Sequence, residues 1–140
     1  MYRAKHASNM RTKGWMIGYL VNEDYIAVVT EDGLIYPSTP VRPETIGLCS
    51  GRQDIQGKDI FQGDIPENDK GLQFEVCYGL YAMYCPVDNC MMENFGFYTV
   101  SEGYYEDMPL GPTEQYARII GNIYDNPELK VDERYRHGGL

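Results

Sequence analysis

The chain has 140 residues, 21 of them acidic against 12 basic, for a formal charge of −9. That balance disfavours a general nucleic-acid binder, because neutralising phosphates takes Lys and Arg, and it suits a protein that avoids anionic membranes. No run approaches the roughly 18 consecutive apolar residues of a membrane-spanning helix, and the polar start MYRAKHASNMRTKGW has no apolar signal-peptide core, so no leader is expected.

The length suits one domain or two very small ones, able to bury an adequate core without staples. Thirteen Tyr stand against four Phe and one Trp, and 15 Gly and eight Pro punctuate the chain. Tyrosine fits half-buried strand positions, so the composition favours short strands and turns over long helices.

Residues 1–13 read as a polar arm or an edge strand, with a small anion-binding arm as the alternative. GWMIGYLV at 14–21 reads as a strand: Trp15, Ile17, Tyr19 and Val21 share one face, Met16, Gly18 and Leu20 the other, and both faces are expected to be partly covered. After a turn at Asn22-Glu23-Asp24, YIAVVT at 25–30 has the strongest β character in the chain. Glu31-Asp32-Gly33 then signals a hairpin, since a type I′ turn needs positive φ at both central residues. Leu34-Ile35-Tyr36 is the return strand, which Pro37, Pro40 and Pro43 are expected to stop. Pro43-Glu44-Thr45 suits one helical turn with proline in first position.

The stretch 44–65 holds the densest set of backbone-shaping residues, with Gly47, Gly51, Gly57 and Gly63 between short apolar pieces. It reads as strand–turn–strand. Its GRQDIQGKD segment departs from a phosphate loop in three ways. Five residues rather than four separate Gly51 from Gly57, Asp59 replaces the Ser or Thr after Lys58, and no helix follows. The reading is a β-turn in which Gly57 takes positive φ and Asp54 accepts a backbone hydrogen bond. Gly63-Asp64 then opens a strand of a small barrel, with Asp64 capping the turn.

Residues 66–71 form a polar loop. Residues 72–78 alternate as a half-buried strand, with Leu72, Phe74, Val76 and Tyr78 on one face and Gln73, Glu75 and Cys77 on the other. For 80–94 two readings stay open, a strand at LYAMYCP and a short helical turn over 87–94. FGFYTV at 95–100 is a strand, 101–114 a loop, and YARIIGNIY at 116–124 a strand pair or one strand bent at Gly121.

No chemistry stands out. His6 and His137 lie near the termini, away from any obvious nucleophile, and no carboxylate spacing singles out a dyad. Cys49, Cys77, Cys85 and Cys90 are expected to be free thiols in a reducing compartment, with two disulfides or a three-Cys metal cluster as lesser alternatives. No catalytic residue, cofactor or metal is assigned.

Three segments together resemble the YopX family, small proteins encoded by bacteriophages and prophages. The first is Tyr2-Arg3-Ala4-Lys5 with the strand Gly14-Trp15-Met16-Ile17-Gly18-Tyr19-Leu20. The second runs from Pro43-Glu44-Thr45-Ile46-Gly47 into Ser50-Gly51-Arg52-Gln53-Asp54-Ile55-Gln56-Gly57-Lys58-Asp59-Ile60-Phe61-Gln62-Gly63-Asp64-Ile65, where Arg52 and Gln62 depart from the usual Leu and Glu. The third is Ile120-Gly121-Asn122-Ile123-Tyr124-Asp125-Asn126-Pro127-Glu128-Leu129. Residues 80–114 show no alignable likeness. The resemblance implies a β-rich fold, a phage or integrated-element origin and a bacterial cytoplasm. It implies no enzymatic activity, and no site residues carry over.

The expectation is therefore a mainly β, small single domain over 1–130 with about seven or eight short strands, barrel-like or partly open, with little helix and a disordered tail at 131–140. Gly51, Asp54, Gly57, Lys58, Gly63 and Asp64 form its structural signature. The first functional reading is a protein-interaction or self-associating module whose partner is itself or a host or phage protein. The Tyr surplus supports it, since Tyr is favoured at interfaces. The alternative is nucleic-acid binding through a basic patch of Arg3, Lys5, Arg11, Lys13, Arg52 and Lys58. An enzyme with an unrecognised site comes last.

Overall fold

The computed structural model describes residues 1–8, 14–29, 32–102 and 104–132. Arg11 and Lys13 of the basic patch, Glu31 of the expected hairpin turn, and the tail from 133 lie outside the described residues. The chain divides into two compact units, Met1–Cys49 and Ser50–Leu140.

The first unit is an antiparallel sheet built from β1 (Tyr2–Lys5), β2 (Trp15–Asn22), β3 (Tyr25–Val29), β4 (Ile35–Pro40) and the first residues of β5 (Gly47–Gln53), with a 3₁₀ turn at Pro43–Thr45. The strand order is β4-β3-β2-β1-β5. β1, read as an arm or an edge, is thus a central strand: Arg3 pairs with Ile17 on one side and Gly47 on the other. Ala4 explains this. It is fully buried in a core with Ile26 and Val41, against which Tyr2, Met16, Val28 and Ile46 pack. That core covers only one face of β2. On its other face Ile17, Tyr19 and Val21 are exposed, so the expected double cover fails there.

β4 runs through Pro37 and Pro40 instead of stopping before them. It is an edge strand, where a missing N–H costs no ladder bond. Pro37 also falls within the register shift between the Ile26–Thr39 and Val28–Tyr36 pairs, where the ladder is already interrupted.

In the second unit, the end of β5 turns into β6 (Asp59–Phe61), followed by β7 (Asp64–Asn68), β8 (Glu75–Cys85), β9 (Cys90–Ser101), β10 (Tyr104–Pro109) and β11 (Ala117–Asn122), with 3₁₀ turns at Thr113–Gln115 and Pro127–Leu129. β8, β9 and β10 make one antiparallel sheet, with β9 central, and β7 pairs with β11. Ile60, Phe61, Ile65, Phe74, Val76 and Ala117 are buried. A second cluster joins Tyr81, Tyr98, Val100 and Val131. Val131, which falls in the expected tail at 131–140, is buried in this cluster.

The fold is mainly β, and among the described residues the helical pieces are 3₁₀ turns only. Among the described residues several open sheets are present and none closes into a barrel. The described residues form eleven strands, against an expectation of about seven or eight. β10 lies inside 101–114, which read as a loop, and β7 extends into 66–71. The 87–94 segment is no helical turn: the chain reverses at 86–89 and β9 begins at Cys90.

Candidate interaction surface

β8 and β9 form a long hairpin, paired without a register break from Glu75–Val100 to Cys85–Cys90. At about 3.4 Å per residue its arms extend some 37 Å. The two arms have opposite-facing rows, because side chains alternate. One row holds Cys77, Tyr81 and Met83 opposite Tyr98, Asn94 and Met92. It supplies core: Tyr81 stacks on Tyr98 at 4.9 Å, and Cys77 and Met83 pack on that cluster.

The other row holds Tyr78, Leu80, Ala82 and Tyr84 opposite Phe97, Phe95, Glu93 and Met91. Tyr78 lies edge-on to Phe95 at 5.3 Å and tilted against Phe97 at 4.7 Å. Such pairs rigidify a strand face. This face is open: Phe95 is 66% exposed and Leu80 48%, and Tyr78, Tyr84 and Met91 are exposed with them. The strand expected over 72–78 begins at Glu75, and its alternation holds, with Val76 and Tyr78 in one row and Glu75 and Cys77 in the other. Tyr78 faces solvent, and Glu75 is 2% exposed. Glu75 turns inward because the chain returns over that face, where the Val131 amide donates to Glu75 Oε1 at 3.2 Å. The Cys77 thiol donates to its other carboxylate oxygen at 3.5 Å.

The sequence signature sits elsewhere in the second unit. Asp54 Oδ1 accepts from the amides of Gln56 (2.9 Å) and Lys58 (3.0 Å), and Oδ2 from that of Ile119 on β11 (3.1 Å). Burial alone would raise the Asp54 pKa, but the Ile119, Lys58 and Gln56 amides and the Lys58 ammonium outweigh it and hold the carboxyl below its ordinary range. Gly51, Gly57 and Gly63 all have positive φ. Asp64 Oδ2 accepts from the Phe61 amide at 2.8 Å, closing the turn between β6 and β7. Asp54 spends both its oxygens on backbone amides and Asp64 one of its own, so these carboxylates shape the glycine-rich stretch.

The basic residues are dispersed among different partners. In the first unit the Arg3 guanidinium and Lys5 ammonium lie 4.4 and 5.4 Å from the Trp15 ring centre, and Arg3 is buried. In the second unit Arg52 donates to Glu114 at 2.7 Å, and Lys58 is held in the Asp54 turn. The Arg52–Glu114 pair is exposed on both sides, so Arg52→Ala is expected to leave the thermal midpoint within error of the parent in a differential scanning melt.

Two cavities open on either side of Leu72. One, about 340 Å³, is lined by Phe74, Met108, Pro109 and Tyr116 with Asn68 and Ser101 among its polar walls. Burial raises the Tyr116 phenol pKa, Glu114 adds to the rise, and Arg52 opposes it. The other, about 300 Å³, is lined by Gln73, Glu102, Glu128 and Val131 among others.

The exposed residues of the hairpin were not singled out from sequence. The signal was present: Tyr78, Leu80 and Tyr84 fall in phase with Met91 and Phe95 once the turn residues Pro86, Asp88 and Asn89 are taken as the reversal point. The second reading of 80–94 hid that phase.

Fold and surface together define a small mainly-β protein of several antiparallel sheets that displays an apolar hairpin face. Compared with models of known families, residues 2–129 match the one described as YopX protein. The chain belongs to the YopX family. Comparison with curated proteins returned no match.

Proposed function

We propose that this YopX-family chain is a phage- or prophage-encoded accessory protein that works by protein–protein contact in the host cytoplasm. The outer face of the β8–β9 hairpin makes that contact, with a second copy or with a host or phage protein. The observation that carries the reading is the row Tyr78, Leu80, Tyr84, Met91 and Phe95, aligned on one face and exposed. Contiguous apolar area left in water marks an interaction site. Aromatic residues and Met are the side chains enriched in such interfaces. A charge of −9 keeps the chain soluble while it carries that patch.

The test combines light scattering of the purified protein with affinity capture from infected or lysogenic cells. The parent is expected to self-associate with rising concentration or to retain a defined partner. Phe95→Asp should abolish either behaviour and lower the thermal midpoint only modestly, because the Phe95 ring is largely in water already and loses only its edge contact with Tyr78. A parent that stays monomeric and captures the same proteins as Phe95→Asp would overturn the reading. The nucleic-acid alternative is tested by mobility shifts with single- and double-stranded probes at low salt, where no shift is expected.

A further inference from the structure

The hairpin ends in Cys85-Pro86-Val87-Asp88-Asn89-Cys90. Cys85 and Cys90 are Cα partners, the last pair before the turn. Directly opposed residues of an antiparallel ladder have Cα atoms about 4.5–5.5 Å apart, inside the roughly 4.4–6.8 Å that a disulfide spans. Both thiols are free, Cys90 exposed and Cys85 half-buried. The Cys85 thiol donates to Asp88 Oδ2 at 3.8 Å, within the turn. Asn89 sits at φ 52°, and its side-chain oxygen accepts from the Tyr84 hydroxyl, which ties the turn to the strand. The fold therefore holds the two sulfur-bearing residues opposite one another at the turn end of the ladder, one of them exposed. Cys77 stands eight residues before Cys85 on the same strand, about 27 Å away along it, and takes no part.

We propose that Cys85 and Cys90 are a dithiol modification site, oxidised reversibly by a small-molecule disulfide of the glutathione type. The Cys90 thiolate attacks one sulfur of the external disulfide. That S–S bond breaks, a mixed disulfide forms on Cys90, and one thiolate leaves. Cys85 gives up its proton to solvent, and its thiolate attacks the Cys90 sulfur. The mixed S–S bond breaks and the second thiolate leaves. Two protein thiols become one disulfide, the external disulfide is reduced to two thiols, and the protons released by the cysteines end on the leaving groups. This chemistry is independent of whether the apolar face binds a partner.

The experiment is equilibration of the full chain with oxidised and reduced glutathione at several ratios, followed by mass spectrometry and peptide mapping. The expected result is loss of two hydrogens per chain, with the bond mapped to Cys85–Cys90, and return to thiols in excess reduced glutathione. Cys85→Ser and Cys90→Ser should instead each stop at one glutathione adduct on the remaining tip thiol. Repeating the titration in urea tests whether the fold positions the pair. Ring closure should weaken on the order of tenfold, because the unfolded chain must lose conformational freedom to bring the sulfurs together. Persistent glutathione adducts on the parent, a bond to Cys49 or Cys77, or equal closure in urea would each overturn the proposal.

Discussion

Asp54→Ala is expected to lower the unfolding free energy by about 3 kcal/mol, read as a reduced urea midpoint with an unchanged slope. The carboxylate is 2% exposed and accepts three backbone amides. Alanine would leave those partly buried amides without their acceptor, and a donor shielded from water and unmet costs more than the bond is worth when made. The loss would also be felt at a distance. The Ile119 amide belongs to β11, next to the register shift between Ile119 and Gly121, and the adjoining Ile55 amide donates to the Ala117 carbonyl at 2.9 Å. Asp54 thus fixes the 54–58 turn and fastens it to β11.

The same carboxylate makes stability depend on pH. Its folded pKa lies below the ordinary value of 3.8. A depressed acid contributes stability that is fully present above the unfolded pKa and is lost as pH falls through the folded one. Urea midpoints of the parent should therefore decline below about pH 4, and those of Asp54→Asn should decline less over that window. Parallel curves for the two would refute the assignment.

Gly18→Ala is expected to cost at least about 3 kcal/mol and to disrupt the sheet of the first unit. A Cβ at Gly18 would overlap the Ala27 carbonyl oxygen, with the carbonyl carbon at 2.8 Å and Val28 Cα at 3.0 Å. All three are backbone atoms of β3, so no side chain can swing away. Gly18 pairs with Tyr2 on β1 and Val28 on β3, so separating the strands at this point would loosen both ladders and the core around Ala4 and Ile26. Circular dichroism with urea melts would show it, and a melt that superimposes on the parent would sink the claim.

How much of this was legible depends on the range over which each feature is decided. The 54–58 turn is short-range: an acidic acceptor, a glycine able to take positive φ and the intervening amides lie within five residues. The 3₁₀ turn at Pro43–Thr45 is similar, since proline presets the φ that its first position needs. The hairpin tip at 86–89 failed this test. Its residues suit several turns, and only the pairing of eleven residues on each side distinguishes a reversal from a helical turn. The Tyr surplus hinted at an interface but could not place one, because Tyr81 and Tyr98 stack in the core while Tyr78 and Tyr84 face water.

Residue order was enough for the β class, the signature turn and the YopX family, because dihedral preferences and long contiguous motifs do not need distant partners. It was silent on which face of each strand is covered. Alternation with period two looks the same whichever face meets the core, and moving by one residue exchanges them. Glu75 is buried because Val131 returns to meet it, β1 is central because β5 arrives on its free side, and β4 tolerates its prolines because it is the outermost strand of its sheet. Each depends on a segment remote in sequence, and the apolar hairpin face is exposed for the same reason: among the described residues, no returning segment covers Phe95 and Leu80.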